Sequence, residues 1–333
     1  MGRTTLKDVG DRVGVSAKTV SNVVNNTGWV REDLKQKVRQ AIRELGYRPN
    51  AAARQLRSGR SGMVAVALPD LTQPYFAELA SALVRAAEER AITVLIHQTN
   101  GQADAERRIS NGDGVPVVDG LILSTLAISA EDLAARLDTT PFVLLGEHIG
   151  TSTFPHVAVD NAAAARAATE HLLSTGRRRI AAIGAQLSAP KETADLRLDG
   201  YHAALDAVGV AREDALVRAV NEFSRADGAA AAAALLDSGA PFDAVFAFSD
   251  LLALGAMHTF RERGIRVPED VAIIGFDDIE EGRFASPALS TVSPDTDAIA
   301  RTALDLLAVQ AGGQSANSAD TTIPFQIVRR AST

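Results

Sequence analysis

The sequence predicts two fold classes in one chain: an all-α helix-turn-helix head, followed by an α/β body of parallel sheets with helices on both faces. Three observations predict this. Residues 5–25, TLKDVGDRVGVSAKTVSNVVN, read as two short amphipathic helices joined by a glycine turn. From Met63 onward, short apolar runs alternate with amphipathic helical stretches, the pattern of β-α-β units. Charge also divides sharply. Up to Arg60 there are 13 Lys and Arg against 5 Asp and Glu, a net of +8, whereas the remainder carries −15 of the chain's overall −7. A basic head on an acidic body confines attraction for phosphate to the head.

In the first helix Leu6, Val9 and Val13 share one face. Thr5 is placed to cap it, with Asp8 three residues on completing a capping box, and Gly14 ends it with a left-handed residue. Ser16 caps the second helix, whose buried face is Val20, Val23 and Val24. Its other face presents Ala17, Lys18 and Asn22. In this motif the second helix enters the major groove. Asn pairs with adenine and Lys donates to guanine, while Thr19 and Ser21 suit phosphate oxygens. The alternative for these residues is a small helical hairpin with a solvated polar face. Val30–Leu45 reads as a third helix with Val38, Ala41, Ile42 and Leu45 on its apolar stripe, ended by Gly46 and kept from resuming by Pro49. Trp29, just before it, is expected to plug the core or a loop rather than to stack on bases.

Residues 47–61 form the expected hinge and linker. Asn50 is a fair N-cap and Ala51–Leu56 favour helix, but so short a helix is not stable alone in water. In the body, strands are expected at Met63–Leu68, Thr93–His97, Leu121–Ser124, Phe142–Leu145, Val157–Val159, Ile180–Ile183, Ala244–Phe248 and Val271–Gly275. Helices are expected at Tyr75–Arg90, Leu133–Leu137, Ala162–Ser174, Leu196–Val208, Gly228–Leu236, Leu251–Arg263 and Ala298–Val309. The 333 residues allow two or three domains and two such sheets. The chain has no cysteine, which excludes disulfides and thiolate metal sites. The six histidines are scattered without metal-ligand spacing, and neither a metal nor a cofactor is expected. The N-terminal stretch lacks the apolar core of a signal peptide and no run reaches the ~20 residues that span a bilayer, so a cytoplasmic protein is expected. P-loop, GxGxxG, HExxH and G-x-S-x-G motifs are absent from the sequence.

Ligands of open α/β folds bind beyond the carboxyl ends of strands. There the chain carries Asp70, Tyr75 and Phe76 in LPDLTQPYF, Thr193 and Arg197 in TADLRLDGYH, Phe223, Ser249 and Asp250 in FSDLLALGAM, and Asp277 and Asp278 in IIGFDD. Aromatic faces with a few charged groups suit a polyhydroxylated ring, since a carboxylate accepts two hydroxyl hydrogens and Arg donates in a fixed fork. Each residue also has a structural alternative. Phe76 could be core packing, Asp250 a helix cap, Asp278 a cap or loop cross-link, and Arg197 part of an ion pair.

TLKDVG, GVS, TVSNVVN, VREDLKQKVRQAIRELGYRPN and AAARQLRSGRS, in that order, resemble the DNA-binding head of the lactose/galactose repressor (LacI-type) regulators, and the similarity extends over nearly the whole chain. Two positions depart from the pattern: Gly10, where alanine is usual, and Asn22, where many members carry arginine. A third departure is Gly146-Glu147, where aspartate is common. The resemblance implies a two-lobed, periplasmic-binding-protein-like body. Its N-lobe would span about 62–160 and 293–320, and its C-lobe about 161–292 and 321–333, behind a head at 1–46. It implies paired hinge helices in the minor groove with Leu56 as a wedge beside Ala53; the alternative for Leu56 is a linker residue resting on the body. The DNA-contacting set is then Thr5, Ser16, Ala17, Lys18, Thr19, Ser21, Asn22, Asn25, Asn50, Ala53 and Leu56. The effector-contacting set is Asp70, Tyr75, Phe76, Thr193, Arg197, Phe223, Ser249 and Asp277. The implied activity is that of a dimeric, operator-binding repressor controlled by a small molecule, a sugar by default and a purine as the lesser option. A dimer is favoured over a tetramer because no heptad helix follows Ala316. Two rivals remain: a sugar-binding transport protein with the same body, which the missing signal peptide and the basic head disfavour, and an enzyme acting on a sugar or nucleoside.

Overall fold

The computed structural model describes residues 4–47, 60–146, 154–187, 192–313 and 320–333. The chain separates into two units, Met1–Ser61 and Gly62–Thr333.

In the first unit, helices α1 (Leu6–Val13), α2 (Ala17–Val24) and α3 (Glu32–Glu44) enclose a core of Val9, Val20, Val23, Val30, Val38 and Ala41. The capping box forms in full. The Thr5 hydroxyl accepts from the Asp8 amide, and the Asp8 carboxylate accepts from the Thr5 amide at 2.7 Å, which holds that carboxyl below its ordinary range. Gly14 follows at φ 76°, in the left-handed region. Gly10 is buried where α1 meets the start of α2. A β-carbon on it would stand 2.5 Å from the carbonyl oxygen of Val15, so the close approach requires glycine. Trp29 does not plug a core: it is 86% exposed, and its neighbour Val30 takes the place in the interior instead. The expected hinge residues Asn50, Ala53 and Leu56 lie outside the described residues.

The second unit contains two six-stranded sheets. The first sheet, in the N-lobe, is parallel throughout in the order β11-β5-β4-β3-β1-β2. Its strands are β1 (Met63–Leu68), β2 (Thr93–Gln98), β3 (Gly120–Ser124), β4 (Phe142–Leu145), β5 (His156–Val159) and β11 (Asp320–Ile323). The second sheet, in the C-lobe, contains β6 (Ile180–Ala185), β7 (Val217–Ala219), β8 (Ala244–Ala247), β9 (Ala272–Phe276), β10 (Ser290–Pro294) and β12 (Phe325–Val328). Its order is β12-β10-β9-β8-β6-β7, and β12 alone runs antiparallel. Central strands such as β1, β3 and β8 are buried almost end to end, as expected of parallel strands covered on both faces. The covering helices are α4 (Pro74–Glu88), α5 (Ala103–Ser110), α6 (Ala130–Ala134) and α12 (Thr296–Ala311) in the N-lobe. In the C-lobe they are α7 (Asn161–Ser174), α8 (Glu192–Ala207), α9 (Arg225–Asp237), α10 (Asp250–Glu262) and α11 (Glu280–Phe284).

The chain passes between lobes three times. The first passage follows Val159. The second follows β10, which extends through Val292 to Pro294, two residues beyond the expected point. The third falls at Pro324, because residues 321–323 pair with Val157, Ala158 and Val159 of the N-lobe sheet and so do not belong to the C-lobe. Among the described residues no helix is long and apolar enough to cross a membrane.

Candidate functional site

On the head, Ala17 and Lys18 are exposed near the start of α2, and Ser16 caps it by accepting from the Thr19 amide at 3.1 Å. The Thr19 hydroxyl lies 2.9 Å from that of Ser16. Asn22 is half-buried, and its side-chain nitrogen is 3.2 Å from where a β-carbon on Gly28 would stand. Asn25 is engaged differently. Its amide donates to the Ser21 carbonyl at 2.8 Å and hydroxyl at 3.1 Å, closing the end of α2, so that donor is committed to the helix and not displayed to a base. Thr5 likewise serves the cap of α1.

Between the lobes lies a cavity of about 540 Å³, lined by all eight residues expected to touch an effector: Asp70, Tyr75, Phe76, Thr193, Arg197, Phe223, Ser249 and Asp277. Pro74 starts α4 and places Tyr75 and Phe76 in its first turn, their rings edge-to-face at 5.3 Å. Both rings also pack on the N-lobe core, so Phe76 is core and cavity wall at once. Asp70 is less available: its carboxylate accepts from the Thr72 hydroxyl at 2.8 and 2.9 Å and from the Thr72 amide at 2.9 Å. Ser249 is the cap of α10, its hydroxyl accepting from the Leu252 amide.

On the C-lobe wall, Arg197 is only 7% exposed. Its Nε donates to Oδ1 of Asn161 at 2.6 Å, its Nη1 donates to the carbonyl of Phe248, and its guanidinium lies 3.5 Å from the centroid of the Phe276 ring. Three of its contacts are thus an amide, a carbonyl and an aromatic face. These contacts fix the guanidinium where it lines the cavity. Asp277 is held at φ 113° and Asp278 at φ 56°, both unusual for non-glycine residues. Such backbone costs about 1–3 kcal/mol per residue and persists only where neighbours hold it in place. Here the Asp277 amide donates to Val292 at 2.9 Å, and the Asp278 carboxylate accepts from Arg330, Arg283 and Ser293. Asp278 is therefore a loop cross-link, and it turns its neighbour Asp277 to the cavity.

Asp250 is not the cap of α10. It is fully buried, and its carboxylate accepts from the Thr291 hydroxyl at 2.6 Å and the Ile279 amide at 3.0 Å, bracing the loop beneath Asp277. Burial, reinforced by Asp277, raises its carboxyl well above the ordinary range. Gly275 makes room for it, since a β-carbon there would stand 2.1 Å from Asp250 Oδ1.

Sequence reasoning missed Asn161, Phe276 and Glu106. Phe276 sits in an apolar strand run and reads as core. Asn161, beside the cap residue Asp160, reads as part of a helix start. Glu106 is fully buried on α5, where it accepts from the Thr125 hydroxyl and the amides of Leu126, Ala127 and Ile128 at 2.7–3.1 Å. It thereby shapes the loop that brings Thr125 and Leu126 to the cavity. Among the described residues no group of three or more His, Cys, Asp or Glu could hold a metal ion.

Both parts of the chain are similar to known proteins. Residues 5–50 match the family described as "Bacterial regulatory proteins, lacI family", and residues 169–333 match the "Periplasmic binding protein-like domain". The chain is 32% identical over 331 residues to the HTH-type transcriptional repressor CytR of Escherichia coli (strain K12), covering 99% of this chain and 96% of that one. Among solved structures it is similar to a complex of the transcriptional regulator CelR with cellobiose. That match has a TM-score of 0.72 at 31% identity and covers 99% of this chain and 100% of that one. It is also similar to the lac repressor dimer bound to operator and the anti-inducer ONPF, with a TM-score of 0.86 at 26% identity and 99% of each chain covered. With a head and a body that each match and relatives aligned along almost its full length, the chain belongs to the LacI family of bacterial DNA-binding transcriptional regulators and is not an enzyme.

Proposed function

We propose that this regulator is a repressor that binds a near-palindromic operator as a homodimer and is controlled by a small molecule held between its lobes, a sugar or sugar derivative. The observation that carries the reading is the chemistry of the cavity. Tyr75 and Phe76 offer aromatic faces from one lobe, while Arg197 and Asp277 offer a donor fork and an acceptor from the other. A pyranose or furanose ring has apolar faces and a rim of hydroxyls, and those two walls complement it. Asp277, Arg197 and Phe223 are the principal contacts in this reading, with Tyr75, Phe76, Thr193 and Ser249 around them and Asp70 at the margin. The cellobiose complex of the similar CelR chain supports a saccharide.

On the head, Lys18, Ala17 and Asn22 read base edges, and Ser16, Thr19 and Ser21 meet phosphates. Residues Asn50, Ala53 and Leu56 act in the minor groove. Two heads bind together only while the paired bodies hold them. An effector that shifts the lobes lowers affinity by making the two heads independent, and no base contact needs to change. It can do so only through different affinities for the two body states. Acting on the chromosome implies the cytoplasm.

The test is a gel-shift titration of the full chain on its own upstream region, repeated with cellobiose, D-ribose and a panel of related sugars. The reading requires a retarded complex that resists random competitor and that at least one sugar dissolves or strengthens. A complex indifferent to the entire panel would remove the sugar assignment.

A further inference from the structure

We propose that Asn161 is a positioning residue that links Arg197 to the strand by which the chain leaves the N-lobe, so that what happens to Arg197 in the cavity is felt where the lobes are joined. The proposal rests on the reading of the interlobe cavity as the effector site.

Asn161 is only 2% exposed and is the first residue of α7, immediately after the first passage between lobes. Its two side-chain polar atoms face opposite ways. Oδ1 accepts from Arg197 Nε at 2.6 Å, and Nδ2 donates to the Val159 carbonyl at 3.2 Å. The orientation of the amide is chemically forced. A flipped amide would set an NH2 against a guanidinium and an oxygen against a carbonyl, leaving both contacts repulsive. Val159 is the last residue of β5 and stands beside Ile323, the last residue of β11, which directly precedes the third passage at Pro324. Two of the three connections between lobes therefore converge on the carbonyl end of this short relay. The helix cap is a separate matter, because Asp160 supplies it by accepting from the Ala163 amide at 2.9 Å. Asn161 is thus not needed to start α7, and its side chain is left to join Arg197 to Val159.

Only a group with an acceptor on one side and a donor on the other does both jobs. Aspartate keeps the acceptor toward Arg197 but turns a carboxylate oxygen to the Val159 carbonyl. Leucine of similar volume keeps neither bond. Loss of Asn161 also removes one of the contacts that keep Arg197 over Phe276. A residue that only filled space would lower stability when changed, without altering the angle between lobes.

The absence of native cysteine allows a direct test on the full chain without any ligand. Cysteines at exposed Arg108 on α5 and exposed Ala234 on α9 carry one spin label on each lobe, and electron-electron double resonance reads the distance between them. The expected result is that Asn161→Asp and Asn161→Leu each shift or broaden the distance distribution by about 2 Å or more, the scale of a modest rearrangement. Arg197→Ala should do the same. The double variant Asn161→Leu/Arg197→Ala should give no more than either single change, because the two residues act through one link. Distributions matching the parent in the folded Asn161→Asp protein, or shifts that add in the double variant, would overturn the proposal. Near-isosteric Asn161→Asp decides the matter if the leucine variant fails to fold. Unchanged distances remove the link and leave the effector reading standing. Failure of every sugar in the gel-shift panel removes that reading and leaves the distance measurement valid.

Discussion

The hydroxyl of Thr291 donates to Oδ1 of Asp250 at 2.6 Å, deep beneath the loop that carries Asp277. With Ile279 donating to the other oxygen, this carboxyl braces one wall of the cavity from behind.

Its raised pKa has a defined sign. The folded state binds the Asp250 proton more tightly than the unfolded chain, so the group's contribution is complete below the ordinary carboxylate pKa of about 3.9 and is lost as pH rises through the raised value. Asp250→Asn mimics the protonated form, with Nδ2 facing Thr291 and the oxygen facing Ile279. Urea unfolding should show the parent losing up to about 1.4 kcal/mol per pH unit in that window relative to the variant. Parallel pH profiles for the two proteins would mean that Asp250 does not titrate there.

Arg197→Ala should remove the response of the gel-shift complex to any sugar that acts on the parent, whatever operator affinity the variant keeps without sugar. A buried, hydrogen-bonded cation that meets a ligand contributes about 2–5 kcal/mol when it is truncated, enough to weaken binding well over tenfold. A variant that still responds at the same sugar concentration would exclude Arg197 from the contact set.

Gly10→Ala should destabilise the head even though alanine favours helix by roughly 1 kcal/mol. The added methyl would meet the Val15 carbonyl, and forcing α1 and α2 apart costs about 1–3 kcal/mol, so the net change is a loss. Thermal unfolding of residues 1–61 followed by circular dichroism measures it. A rise in melting temperature would contradict the packing described here.

Glu106→Gln should loosen the loop at 125–128. The carboxylate accepts four hydrogen bonds, and the amide has one oxygen and a donor that opposes backbone N–H groups. Each unpaired buried donor costs about 1–3 kcal/mol. Hydrogen exchange at Leu126, Ala127 and Ile128 should accelerate at least tenfold, with global stability lowered by a similar free energy. Unchanged protection would show that the loop holds itself.

What could be read in advance was local. Thr5 with Asp8, Gly14 and Ser16 specify helix ends within three or four residues of chain, and all four act as their types suggest. The eight expected cavity residues were legible because strand ends in this architecture converge on one place. Four strands were not: β7, β11 and β12 have only three or four residues each and lie at sheet edges, where pairing with a distant partner defines them, and β10, inside its sheet, reads STVSP, a run too polar and too close to a proline to stand out. The roles of Asp250 and Asn161 depend on partners 41 and 36 residues away, beyond the reach of any spacing rule. Trp29 misled for the converse reason. A large apolar side chain suggests an interior, but position decides, and Val30 already occupied it.

The placement of β11 and β12 on opposite sides of Pro324 bears on how such a body can be taken apart. Each lobe is stitched from separate stretches of the polypeptide, and the closing edge strand of each comes from its final fourteen residues. No single cut, by a protease or at the level of the gene, releases either lobe whole. Inheritance, engineering and degradation must therefore treat the pair as one indivisible piece.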